Sequence, residues 1–192
     1  MRRRGGLSFY KRRKTINAKV LQEIWSWISG IILAILLAFM LVYAFGMKTT
    51  VIGISMENTL YNGQSILVNR LSYLLTEPKQ GDIVVFYPNG NRNTHYYVKR
   101  VVAVPGDSVL INQGKLYVNG RVTDYHYDKI ADPGIAENEL TLGEDEFFVL
   151  GDNCNNSEDS RSGNIGPVNK ELIAGRAWFH YSSEYEGIGV LF

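Results

Sequence analysis

Tyr97-Val98-Lys99-Arg100-Val101-Val102-Ala103-Val104, followed by Pro105-Gly106-Asp107, is a β-branched run closed by a turn. Valine and tyrosine suit a pleated strand, and proline followed by glycine ends one, so residues 95–104 read as a strand. Comparable runs recur at 65–68, 82–87, 108–111, 115–118, 147–150 and 175–181, punctuated by Pro88-Asn89-Gly90, Asn112-Gln113-Gly114 and Asn119-Gly120. Strands this short between such turns predict a mainly β domain, a partly open barrel or a sandwich. Residues 71–80 read as a short helix or loop. The polar stretch 124–146 reads as an excursion over the surface.

Upstream of this domain the character of the chain changes. Residues 24–47, IWSWISGIILAILLAFMLVYAFGM, carry no charge. A helix needs about 20 apolar residues to cross a hydrocarbon core of about 30 Å, and one that is apolar around its whole circumference has no face for water. Trp25, Trp27 and Tyr43 stand near its ends, where aromatic belts form. One transmembrane helix is therefore expected at 24–47. A cleavable signal peptide fits less well, because its apolar region spans only about 7 to 15 residues.

The first 23 residues hold eight Lys or Arg against Glu23 alone, leaving 12 basic and 18 acidic residues after it. The positive-inside rule then predicts a basic cytoplasmic tail at 1–23 and an extracellular β domain at 48–192. The tail suits anionic membrane lipid, and an acidic outer domain is no nucleic-acid partner. A domain of this length builds a core without disulfides. The single cysteine, Cys154, has no partner for a bridge and no spacing that suggests a metal site; no metal and no cofactor is expected.

Within the 95–104 strand, alternation puts Tyr97, Lys99 and Val101 on one face. An amine between two bulky neighbours is desolvated, which lowers its pKa and makes it a usable base; a surface lysine in an ordinary strand is the competing reading. Ser55, in Gly53-Ile54-Ser55, is either a turn residue or a nucleophile, and a hydroxyl needs an adjacent base. His95, His126 and His180 stand in no recognisable triad setting and read as structural.

Four segments then occur in a telling order: Gly53-Ile54-Ser55-Met56-Glu57-Asn58-Thr59-Leu60; Gly81-Asp82-Ile83-Val84-Val85-Phe86; residues 97–107; and Gly151-Asp152-Asn153-Cys154-Asn155-Asn156-Ser157-Glu158-Asp159-Ser160-Arg161. In order and context they resemble the characteristic boxes of the type I signal peptidases. The strings VKRVVAVPGD and GDNCNNSEDSR are highly specific, and the resemblance runs from the apolar segment to about Arg161.

The resemblance implies a signal-peptidase-like fold and a Ser-Lys dyad, with Ser55 as nucleophile and Lys99 as base. Ser157 corresponds to a hydroxyl that orients the lysine, Asp159 and Arg161 to a supporting ion pair, and Asp152 to a further structural partner. Val51, Ile52, Gly53, Met56, Leu60, Tyr97 and Val98 would line shallow pockets for small side chains, with ordinary core packing the equal alternative for the apolar ones. The oxyanion donor is the Ser55 amide. Gly53 stands where some members have a second hydroxyl, so water or another amide would take that place. Asn58 replaces the usual proline of Ser-Met-x-Pro-Thr-Leu, which makes a narrow substrate range, such as pilins, plausible.

The implied activity is removal of N-terminal signal peptides from exported preproteins at the cell membrane, close to the bilayer because Ser55 follows Met47 by eight residues. The Sec translocon is a candidate partner. One span and a short outer domain resemble Gram-positive enzymes. The alternative is a non-proteolytic chaperone or assembly factor for surface pili on the same fold, which would be expected to have lost Ser55 or Lys99.

Overall fold

A computed structural model of the chain describes residues 17–91, 94–123, 125, 129–182 and 187–191. Most of the basic tail, and His126, lie outside them. The chain divides between Met40 and Leu41 into two compact units. Helix α1, Ala18–Phe45, has 28 residues and at 1.5 Å per residue is about 42 Å long. It is long and apolar enough to cross a membrane, and its side chains are exposed up to Tyr43. It starts earlier and stops sooner than 24–47: the Gly46 N–H still donates to Val42 O at 2.8 Å, but Met47 already belongs to a strand. A Cβ at Gly46 would collide with the Val42 carbonyl oxygen, so the tight exit requires glycine.

Among the described residues twelve strands follow: β1 Met47–Thr50, β2 Ser65–Asn69, β3 Ile83–Phe86, β4 Tyr97–Ala103, β5 Ser108–Asn112, β6 Lys115–Val118, β7 Arg121–Val122, β8 Leu140–Thr141, β9 Glu146–Leu150, β10 Val168–Asn169, β11 Ile173–Tyr181 and β12 Gly189–Val190. The seven expected strands are all present, within a few residues of their predicted ends. The larger sheet runs β1-β2-β11-β3-β4-β9-β10, with β12 also on β11, and every pairing is antiparallel. Its outer strands β1 and β10 do not pair with each other, so the sheet stays open, as the mainly β, partly open expectation has it.

Strand β3 shows how the sheet is filled. All four of its residues are buried, and the period of two sends Ile83 and Val85 into one cluster and Val84 and Phe86 into another. Full burial of such side chains contributes about 1.5–3 kcal/mol each. Lys99 pairs with Val84 across the sheet, on the face that also carries Tyr97 and Val101. A register shift between Val101 and Ala103 on β4 then turns Val102 and Ala103 toward the third cluster, adding local twist.

That third cluster lies against the smaller sheet, β7-β6-β5-β8, and corrects one expectation. The stretch 124–146 is not only a surface excursion: Ile130, Ala136 and Leu142 are buried in this cluster. Three widely spaced apolar residues leave no periodic signal in a polar segment. Residues 71–80 resolve into one short helix, α2, Ser72–Leu75, followed by loop.

Candidate active site

Ser55 sits in the turn between β1 and β2. The turn is internally bonded, with the Glu57 N–H donating to Ile54 O at 3.1 Å and the Leu60 N–H to Met56 O at 2.7 Å. Met56 and Leu60 are fully buried beneath it, in one cluster with Ile66 and Val68. The loop after β9 holds it from above: the Asn153 N–H donates to Ser55 O at 3.0 Å and Asn153 Nδ2 to Ile54 O at 3.2 Å. Gly151 makes this approach possible, because a Cβ there would collide with both Ser55 O and Ser157 Oγ. The Ser55 N–H has no acceptor among the described residues.

Lys99 reaches this turn from β4. Its Nζ is 2.7 Å from Ser55 Oγ, its side chain is 4% exposed, and the Tyr97 ring centroid is 5.3 Å from the amine. Burial lowers the lysine pKa to about 8, while Asp159 and Glu158 pull it up and Arg161 pushes it down. A nearly dry amine beside an alcohol is a base close to its working range. Among the described residues no histidine hydrogen-bonds Ser55.

The Gly151–Arg161 loop supplies the support. The buried Asp159–Arg161 pair is bidentate, with Nε–Oδ1 at 2.8 Å and Nη2–Oδ2 at 3.0 Å. Arg161 also donates to the carbonyls of Asp132, at 3.0 Å, and of Cys154, and the Gly151 N–H donates to Asp159 Oδ2 at 3.2 Å. The guanidinium is thus bonded through all three of its nitrogens, to its own loop and to Asp132 of the preceding segment, which fixes the loop's shape. Burial, with Arg161 opposing, pushes the Cys154 thiol up to about 12, so it is no rival nucleophile at neutral pH.

Ser157 departs from expectation. Its Oγ is buried with no hydrogen-bond partner, lying against Gly151, and the orienting bond to Lys99 is not made. Asp152 finds its cation on a neighbouring strand: Arg100 Nε and Nη2 donate to Oδ1 and Oδ2 at 2.8 and 2.7 Å, and Thr59 Oγ1 donates to Oδ2 at 2.5 Å. Arg100 and Thr59 thereby clamp the serine turn to the loop. Sequence reasoning missed both, since alternation along β4 shows only that Arg100 faces away from Lys99, not what lies there.

A groove of about 460 Å³ opens beside the pair, walled by Val51, Ile52, Gly53, Ile54 and Met56 on one side and by Tyr96, Tyr97 and Val98 on the other. Six of the seven residues expected to line a pocket do so. Leu60 does not: it is wholly enclosed in the core, so core packing wins there. The structure adds Ile54, Tyr96, His95, Asn156 and Glu158; His95 was expected to be structural only.

Comparison with known proteins agrees with this arrangement of segments. The family model "Signal peptidase, peptidase S26" matches residues 24–182. "Signal peptidase I P" of Bacillus subtilis subsp. natto is 36% identical over 163 residues, 80% of this chain and 86% of its own length. "Signal peptidase I" of Bacillus licheniformis is 32% identical over 183 residues, 86% of this chain and 91% of its own. "Probable signal peptidase I-2" of Synechocystis is 38% identical over 131 residues, but the match spans only 59% of that protein. With a buried lysine beside a serine in the lining of an apolar groove, and a family match over most of its length, the chain belongs to the signal peptidase family, peptidase S26.

Proposed function

We propose that this signal peptidase cleaves exported preproteins through a dyad of Ser55 and Lys99. The carrying observation is the 2.7 Å approach of Lys99 Nζ to Ser55 Oγ, with the amine buried and its pKa brought down to about 8. At pH 7 such an amine is neutral in about a tenth of molecules, whereas a free lysine is neutral in fewer than about one in a thousand.

The neutral amine takes the Ser55 hydroxyl proton as Oγ attacks the carbonyl carbon before the cut. The Ser55 N–H donates to the resulting oxyanion. Collapse breaks the C–N bond, and the Lys99 ammonium returns its proton to the leaving amine. Water then attacks the acyl-enzyme carbonyl as Lys99 takes its proton. The C–Oγ ester bond breaks, the Lys99 ammonium returns the proton to Ser55 Oγ, and the product acid leaves as a carboxylate after giving its proton to solvent. Asp159 with Arg161, and Asp152 with Arg100, hold the loop and the turn in register. Ser157, whose buried hydroxyl is unpartnered in the same loop, would orient Lys99 once substrate is bound.

An extended chain laid along the groove would meet short or exposed walls at Gly53, Ile52 and Val98, which suits small residues before the cut. Helix α1 would hold the enzyme in the membrane with its N-terminus inside, the basic tail on lipid, and the catalytic unit outside where preproteins leave the Sec translocon. A narrow substrate set, pilins among them, remains the finer reading, motivated by Asn58.

The test uses the full-length protein in detergent with a preprotein substrate. Ser55→Ala and Lys99→Ala should each lower kcat by about 10³-fold or more. Cleavage at the parent rate by either variant would refute the dyad; a parent that retains preprotein uncut would favour the chaperone reading.

A further inference from the structure

We propose that Glu158 makes the groove charge-selective, favouring substrates with a Lys or Arg side chain close to the scissile bond and disfavouring those with Asp or Glu there. The inference rests on the groove being the substrate site, as proposed above, and names a substrate feature that the apolar walls do not. Glu158 follows Ser157 in the loop, is exposed, and lines the groove together with Ser55 and Lys99.

Its Oε2 accepts from the Tyr97 hydroxyl at 3.0 Å. That bond ties the carboxylate to the β4 wall and leaves Oε1 without a hydrogen-bond partner among the described residues. Nor does Glu158 join an ion pair among them, unlike Asp152 and Asp159, which are fully engaged by arginines. Among the described residues lining the groove, the lysine, Lys99, is hydrogen-bonded to Ser55. The rim therefore carries a carboxylate that is near enough to Lys99 to raise that amine's pKa but is locked in no ion pair among the described residues, held by Tyr97 beside the path of the substrate.

A carboxylate so placed attracts a cationic side chain and repels an anionic one, each by an amount typical of a partly exposed pair. Together these separate a Lys from a Glu at the same substrate position by about fivefold. The selection is screened by salt, because the site is open to solvent.

The experiment takes a signal-peptide substrate in which each position from five before to three after the cut is replaced in turn by Lys, Gln or Glu. Full-length parent, Glu158→Gln and Glu158→Lys are compared by the ratio of kcat/KM for Lys over Glu. Glutamine keeps an acceptor for the Tyr97 hydroxyl and removes only the charge. At one position the parent should favour Lys by about fivefold, Glu158→Gln should bring the ratio near one, and Glu158→Lys should invert it. Adding 0.5 M salt, roughly, should shrink the parent's ratio. A ratio that stays the same in all three proteins at every position overturns the proposal.

Binding of the same peptides to the Ser55→Ala protein, followed by fluorescence anisotropy, reads charge preference without turnover. If cleavage fails in every protein but Ser55→Ala still binds the Lys peptide better, the dyad reading falls and the Glu158 proposal stands. Equal binding of Lys and Glu peptides there overturns it.

Discussion

Restoring the family proline at position 58 should damage this enzyme. Asn58 has φ +87°, in the left-handed region that asparagine tolerates better than most residues. Proline is fixed near about −65°, so Asn58→Pro demands a rotation of roughly 150° in the middle of the serine turn. The turn cannot absorb it quietly. The Thr59 N–H next door donates to Met56 O at 3.0 Å, and Thr59 Oγ1 is held by Asp152. A forced backbone of this kind costs about 3 kcal/mol, which in a domain of this size lowers Tm by about 6 to 12 °C. Asn58→Gly, which reaches positive φ freely, should stay within about 0.5 kcal/mol of the parent. Thermal unfolding of the full-length protein in detergent, with kcat/KM on one preprotein, distinguishes the two variants. An Asn58→Pro protein as stable and active as the parent would refute the turn geometry.

Lys99→Met should stabilise the fold while abolishing cleavage. The lysine's folded pKa, about 8, lies below its unfolded value, so the unfolded chain binds more protons between about 8 and 10.5 and stability rises with pH across that window. The buried ammonium's penalty, about 3 kcal/mol, is complete below about pH 8; the gain from Lys99→Met should therefore be largest at pH 6 and gone by about pH 10.5 in denaturant titrations. Gly151→Ala sets a Cβ against Ser55 O and should reduce kcat by about 100-fold through a displaced nucleophile. Arg100→Leu leaves Asp152 without its cation and should cost about 2 to 3 kcal/mol in the same titrations, with lowered activity.

Much of this was readable from residue order, for definite reasons. The β-branched runs fixed the central strands, of which Ile83 to Phe86 fills both faces of the sheet. Alternation puts Lys99 on one face with Tyr97 and Val101, but an ordinary surface lysine is the stronger reading of that position until the resemblance of the four segments makes it a candidate base. What escaped depends on contacts far apart in the chain. Arg100 meets Asp152 52 positions away, and Tyr97 meets Glu158 61 positions away; no local pattern encodes such a meeting. Leu60 looked like a pocket residue because it sits in the motif, yet the turn rotates it inward. Ser157 lies in the right loop, but its hydroxyl packs against Gly151 and makes no hydrogen bond to the amine, a placement that sequence does not dictate.

The pH dependence of kcat/KM bears most directly on the claim that a dry lysine is the base. For the full-length enzyme with a preprotein whose own groups do not titrate in the range, the acidic limb should have an apparent pKa of about 8, as burial of Lys99 sets it. A limb near about 6.5, as for a histidine base, or near about 10.4, as for a solvated lysine, would contradict the account.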